Sequence, residues 1–214
     1  MIDPVNKFLF IHIPRTAGSR FCREYYNQKL RDQVSFAHFD LFHIGAHSRR
    51  RHFKYINYAN KFPYSFEDFY KLVVIRNPWD LLVSFYYLGV RRVEENQRLL
   101  KKDIYKRGFA YFISSIYQHK KVVQRLSPCA AIRGCENNIR IVRYENYDSE
   151  MKLVFNELDM ESSYKRFSPS ELHKEYSAAY KDRPLDYREE YNVSTKDIVW
   201  NLYREDIKKF NYEF

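Results

Sequence analysis

Two short stretches hold the residues able to do chemistry. The first is Pro14-Arg15-Thr16-Ala17-Gly18-Ser19-Arg20, directly after the apolar run Phe8-Leu9-Phe10-Ile11-His12-Ile13. A buried strand that turns through a short loop into a helix aims several backbone N–H groups at one spot. The start of the helix adds partial positive charge there. Arg15 contributes a full charge, and Thr16 and Ser19 contribute hydroxyls. The pattern is that of an anion cradle. It is not a Walker A loop, because it has one glycine and no Gly-Lys pair.

The second stretch begins with the β-branched-rich run Leu72-Val73-Val74-Ile75, which predicts a buried strand. Arg76 then stands at the carboxyl end of that strand, where open α/β sheets bind their ligands. Asn77 suits a helix N-cap and Pro78 the first helical position, with Ser84 about two turns along. Two cationic strand ends predict a ligand with two separated anionic groups. Readings without a ligand stand beside this one. Arg76 can brace the fold by pairing with Asp80 or Glu145, and Ser84 can bond the carbonyl one turn back. Thr16 and Ser19 can simply cap the helix.

Taken together and in this order, the two stretches resemble sulfotransferases that use 3′-phosphoadenosine 5′-phosphosulfate (PAPS). The likeness is to the branch of the heparan sulfate 2-O- and 6-O-sulfotransferases and their small bacterial relatives. Ile13 to Ser19 resembles the family's phosphosulfate loop, and Val74 to Tyr87 resembles the segment whose Arg and Ser hold the 3′-phosphate. Weaker likenesses follow at Ile141 to Asn146 and from Glu190 to Phe214, and 91–138 is the least similar region. The resemblance implies an α/β, P-loop NTPase-like three-layer fold with a central parallel sheet flanked by helices. It implies PAPS as sulfuryl donor, bound by Arg15, Thr16, Ala17, Gly18, Ser19, Arg76 and Ser84, with no metal. Arg15 replaces the lysine usual in this branch, as it does in tyrosylprotein sulfotransferases. A guanidinium stays charged, so it can stabilise a leaving phosphate but not protonate it. Leu81 stands where the family's second segment usually has Arg.

Transfer to a hydroxyl requires a base for the acceptor's proton, and histidine suits that task near neutral pH. The run His52-Phe53-Lys54-Tyr55-Ile56-Asn57-Tyr58 resembles the segment carrying the catalytic histidine in the 2-O enzymes, and His52 is the first candidate. His47 and His43 follow it. The solvated Arg49-Arg50-Arg51 face beside His52 also suits an ordinary surface histidine. His12, inside the first strand, reads as a core residue.

The elements that position these groups alternate in type. Strands are expected at 8–13, 71–76 and 139–143, with a short one near 34–37. Helices are expected at 19–30, 78–89, 109–124, 145–158 and 195–209, the last capped by Ser194 and Asp197. Met151, Val154, Phe155 and Leu158 share one helical face, and Val199, Leu202, Tyr203, Ile207 and Phe210 share another. Strands separated by helices predict parallel pairing.

The 214 residues suit one domain over 1–214, and 45% hydrophobic with 30% charged residues excludes a disordered chain. With no apolar run of spanning length and no leader before the first strand, a cytoplasmic protein is expected. Cys22, Cys129 and Cys135 then favour reduced thiols, although Cys129 and Cys135 could pair. A net charge of +10 suits a polyanionic ligand. The expected acceptor is a hydroxylated small molecule or glycan. Two further classes remain: a non-catalytic module binding adenosine 3′,5′-bisphosphate or nucleic acid, and a metal-dependent phosphotransferase. The latter lacks an evident acidic pair for Mg²⁺.

Overall fold

Residues 1–31, 54–94, 102–118, 126–160 and 183–214 are described in the structure, a computed structural model. In chain order, β1 is Ile2–Asp3, β2 Phe8–Ile11, α1 Gly18–Arg31, α2 Tyr55–Lys61, β3 Tyr70–Ile75 and α3 Pro78–Glu94. Then come α4 at Lys102–Lys106, α5 at Phe109–Tyr117, α6 at Pro128–Ile132 and β4 at Arg140–Arg143. A 3-10 turn at Tyr144–Asn146 leads into α7, Tyr147–Glu157. Another at Tyr187–Glu190 precedes α8, Val193–Leu202, and α9, Arg204–Lys209.

The protein is α/β, with one four-stranded sheet in the order β1-β2-β3-β4. As the alternation of strands and helices predicts, β2, β3 and β4 are parallel, with Ile11 opposite Val73 and Ile75 opposite Arg143. Their carboxyl ends therefore reach one edge of the sheet. The sheet is mixed rather than wholly parallel, because β1 pairs antiparallel with β2. Asp3 closes the connecting turn by accepting from the Asn6 amide N–H at 3.0 Å and from Asn6 Nδ2 at 2.6 Å. Two residues are too few to leave an alternation pattern, so the sequence does not announce β1.

The chain divides into two compact units. Met1–Ile75 with Pro128–Pro169 forms the first, and Arg76–Ser127 with Ser170–Phe214 the second. In the first, Phe8, Phe10, Leu72, Val74 and Val142 meet Phe21 and Tyr25 of α1 and Met151, Val154 and Phe155 of α7. Each fully buried side chain of this size is worth about 1.5–3 kcal/mol. The expected apolar face of α7 is buried, with Leu158 packed partly against it. Cys22, Cys129 and Cys135 are not joined in disulfides.

The second unit is built on α3, whose Trp79, Leu81, Leu82, Val83 and Tyr86 are buried, as its nearly all-apolar sequence predicts. Trp79 Nε1 donates to the Lys196 carbonyl at 3.3 Å, and the Tyr191 hydroxyl donates to the Trp79 carbonyl at 2.9 Å. The closing helix expected over 195–209 is two helices that break at Tyr203, whose ψ of 23° leaves the helical range. Its cap also differs. Asn192 Oδ1 accepts from the Thr195 amide at 2.9 Å, and Thr195 Oγ1 from the Asn192 amide at 3.0 Å, so Ser194 and Asp197 are not the box. The helix expected over 109–124 is α5, and residues 119–125 and the strand expected near 34–37 lie outside the described residues. Among the described residues, no helix is long and apolar enough to cross a membrane.

Candidate functional site

β2 hands the chain to the loop through buried His12 and Ile13. Thr16 is fully buried, and its hydroxyl donates to the Ile13 carbonyl at 2.9 Å, stapling the loop to the strand end. Arg15 and Ala17 have φ of 69° and 62°, with Thr16 between them on the ordinary side. That left-handed conformation costs a residue with a Cβ about 1–2 kcal/mol. Left-handed residues alternating with ordinary ones turn successive N–H groups to one side, the geometry of an anion-binding nest. Strain of this kind persists where surrounding structure enforces it, typically at ligand sites. Arg15 is half-buried and Ser19 exposed.

Gly18 opens α1, and its need is spatial. A Cβ there would lie 2.1 Å from His12 Cδ2 and 2.2 Å from His12 Nε2. The imidazole therefore packs against the loop at Gly18, and it stacks on Phe10 at 5.6 Å between ring centres. Sequence reasoning left His12 in the core. The available signal was its position, since Phe8, Phe10 and His12 share one face of β2, the face on which α1 lies.

The first turn of α1 is also tied to α7. Arg20 pairs with Glu24 at 2.9 Å and with Asp148 at 2.5 Å, and its guanidinium lies 4.5 Å from the centre of the Tyr147 ring. The Tyr147 hydroxyl donates to Glu24 at 3.0 Å. Burial raises the Glu24 carboxyl above its usual range and outweighs the ion pair with Arg20. Burial, then the adjacent Glu24, pushes the Tyr147 hydroxyl well up. Arg20 thus anchors the helix that follows the loop.

At the other strand end, Asn77 is the N-cap predicted for α3. Its Oδ1 accepts from the Trp79 amide at 3.1 Å, and its Nδ2 donates to the Glu213 carbonyl at 2.7 Å and the Tyr187 hydroxyl at 3.3 Å. Arg76 is 3% exposed, and its Nε donates to Asp80 Oδ2 at 2.7 Å, so the bracing pair foreseen for Arg76 is present. Arg183 pairs with Oδ1 of the same carboxylate. Ser84 is buried one turn beyond Asp80. Nothing in the local sequence points to Arg183, which comes from a distant part of the chain.

Set against known protein families, characterised proteins and solved structures, the chain matches none of them.

His52, His47 and His43 lie outside the described residues. Of the aromatic-rich segment that follows His52, Tyr55 to Tyr58 enters α2. The Lys54 amide donates to Asn57 Oδ1 at 3.0 Å as that helix starts, and Tyr58 is buried. No group of three or more His, Cys, Asp or Glu side chains is placed to hold a metal among the described residues. The described chemistry is cationic: a strained loop of backbone N–H groups with Arg15 in the first unit, and a pair of arginines on Asp80 in the second.

Proposed function

We propose that the protein is a PAPS-dependent sulfotransferase on a P-loop NTPase-like scaffold, moving a sulfuryl group to the hydroxyl of a sugar or other small acceptor. The observation that carries this reading is the loop after β2. It sets two left-handed residues, Arg15 and Ala17, on either side of Thr16 at the carboxyl end of β2. A cradle of backbone N–H groups and fixed cations suits sulfuryl transfer, in which less charge accumulates than in phosphoryl transfer.

In this proposal Arg15 and the N–H groups of Thr16 to Ser19 hold the phosphosulfate, while Arg76 and Ser84 hold the 3′-phosphate. His52 takes the proton of the acceptor hydroxyl as its oxygen bonds to sulfur. The bond from sulfur to the 5′-phosphate oxygen breaks in line, and adenosine 3′,5′-bisphosphate leaves. Arg15 stabilises the charge gathering on that phosphate and keeps its own proton.

The test is a thermal-shift titration without metal, using adenosine 3′,5′-bisphosphate against AMP and ADP, followed by sulfuryl transfer from labelled PAPS to a panel of sugars. A ligand of the folded state at a hundred times its Kd adds about 2.7 kcal/mol. Selective stabilisation by the bisphosphate, followed by turnover, is the expected result. Selective binding without turnover would indicate a non-catalytic binding module. A preference for ADP, or loss of activity with EDTA, would indicate a phosphotransferase.

A further inference from the structure

Within the second unit, the segment after α9 turns back onto the start of α3. Asn211 has φ of 50°, and the Tyr212 amide donates to the Ile207 carbonyl at 3.0 Å. This is the Schellman way of closing a helix, and it reverses the chain. Asparagine is among the few residues that tolerate the left-handed position it requires. Tyr212 is buried, and Glu213 and Phe214 then reach the first turn of α3.

The half-buried Phe214 ring meets three aromatic side chains edge-on. The ring centres lie 5.5 Å away for Trp79, 5.9 Å for Tyr187 and 5.5 Å for Tyr191. Lys196 Nζ stands 4.4 Å from the centre of the same ring, a cation–π contact. These neighbours also hold the turn. The Tyr191 hydroxyl donates to the Trp79 carbonyl, the Lys196 carbonyl accepts from Trp79 Nε1, and the Tyr187 hydroxyl accepts from Asn77 Nδ2. The backbone of the segment adds a direct tie, because Asn77 Nδ2 donates to the Glu213 carbonyl at 2.7 Å while its Oδ1 caps the Trp79 amide. The cap's amide plane is thus fixed at both ends. Arg76 and Asp80, whose side chains pair at 2.7 Å, bracket the stretch that is gripped.

We infer that residues 211–214 are a strap that fixes the first turn of α3, with Phe214 as its positioning residue. The strap stands on these contacts alone. Its consequence for binding rests on the proposed function, in which this turn presents Arg76 to the donor. Phe214 touches no ligand and acts by holding the turn.

The experiment uses the full chain as wild type, Phe214→Ala, Phe214→Tyr and Lys196→Met, with Ile113→Ala in buried α5 as a control for lost stability within the same unit. Amide hydrogen exchange under native conditions reads local opening. The Leu81 amide donates to the Asn77 carbonyl at 2.8 Å and reports on the turn, and the Phe112 amide, bonded to the Gly108 carbonyl at 3.1 Å, reports on α5. Phe214→Ala is expected to speed exchange at Leu81 about tenfold more than at Phe112, the size of a lost aromatic contact. Calorimetric titration then gives the ratio of affinities for adenosine 3′,5′-bisphosphate and 5′-AMP. That ratio is expected to fall about tenfold in Phe214→Ala and to stay within about twofold of wild type in Phe214→Tyr, which keeps the ring, and in Ile113→Ala.

Equal acceleration at Leu81 and Phe112 in Phe214→Ala would overturn the strap, since a residue that only fills the core opens the whole unit. Selective acceleration with an unchanged ratio would overturn the positioning role while leaving the sulfotransferase reading intact. If the wild type shows no preference for the bisphosphate, that reading fails, and the exchange rates still decide the strap. Should Phe214→Ala not fold, Lys196→Met at its exposed position is expected to show the same selective acceleration at Leu81, smaller in size, and its absence would overturn the inference.

Discussion

The imidazole of His12 occupies the space that a side chain on Gly18 would need, 2.1 Å from where its Cβ would stand. This contact sets the depth at which the loop sits on the strand end. Gly18→Ala is expected to cost about 1–3 kcal/mol, as overpacking of a rigid site does. In a His12→Ala background the same substitution should cost at least about 1 kcal/mol less, because the ring is gone and the residues are coupled. Urea unfolding of the four chains in this cycle measures it. Equal costs in both backgrounds would show that the ring does not hold the loop.

Ala17 has a different constraint from its neighbour. Its φ of 62° penalises any Cβ, whereas Gly18 is limited by space. Ala17→Gly relieves about 1–2 kcal/mol of local strain and returns about 0.4–1 kcal/mol of freedom to the unfolded chain. A net gain of up to about 1.6 kcal/mol in thermal unfolding is expected. Ala17→Val should destabilise, since a β-branched residue tolerates positive φ least. A clear loss of stability in Ala17→Gly would show that the loop is not strained at this position.

Asn77 joins the start of α3 to the chain's last residues through Glu213. Asn77→Ala is expected to lose about 1–2 kcal/mol, with the missing cap as the main part. Asn77→Ser keeps an acceptor for the Trp79 amide but drops the donor to the Glu213 carbonyl, and should lose less. If serine and alanine prove equally destabilising, the amide's bond to Glu213 rather than the cap is the important one.

Glu24 ties stability to pH in a direction opposite to that of most paired carboxylates. Burial raises its folded pKa above the ordinary 4.5, despite Arg20 and the Tyr147 hydrogen bond. From pH 4.5 upward to that raised value, the folded chain holds a proton that the unfolded chain has released. Its contribution is therefore fully present below pH 4.5 and is lost as pH rises through the folded value. Glu24→Gln should lack this decline. Unfolding free energies of both chains across a pH series should diverge from pH 4.5 upward, and parallel curves would refute the assignment.

The legible parts of this protein were those whose cause is local. Leu72 to Ile75 reads as a strand because an unbroken β-branched run suits a strand buried on both faces. Asn77 and Pro78 mark the start of α3 because a cap needs only the amides two or three residues ahead. Met151, Val154 and Phe155 share a face because the helix period places them there. The closing cap was misread because Asn192 and Thr195 satisfy the same local rule as Ser194 and Asp197, one register earlier. His12 is buried, as its place in the strand run predicts, but its contact with Gly18 was not legible, because a strand pattern shows which face a side chain takes and not what lies against that face.

The sequence by itself determined the strand–loop–helix units, the parallel pairing of β2, β3 and β4, the cap of α3 and the cationic character of the two strand ends. These depend on neighbours within a few residues and on which side chains avoid water. Only the tertiary structure decided that β1 joins the sheet antiparallel, that Arg20 reaches Asp148, that the His12 ring packs against Gly18, and that Arg183 crosses 103 positions to share Asp80 with Arg76. Such contacts close long loops at an entropic cost that no local pattern repays. They form because the buried core brings their carriers together, so they become visible only once the whole chain has packed.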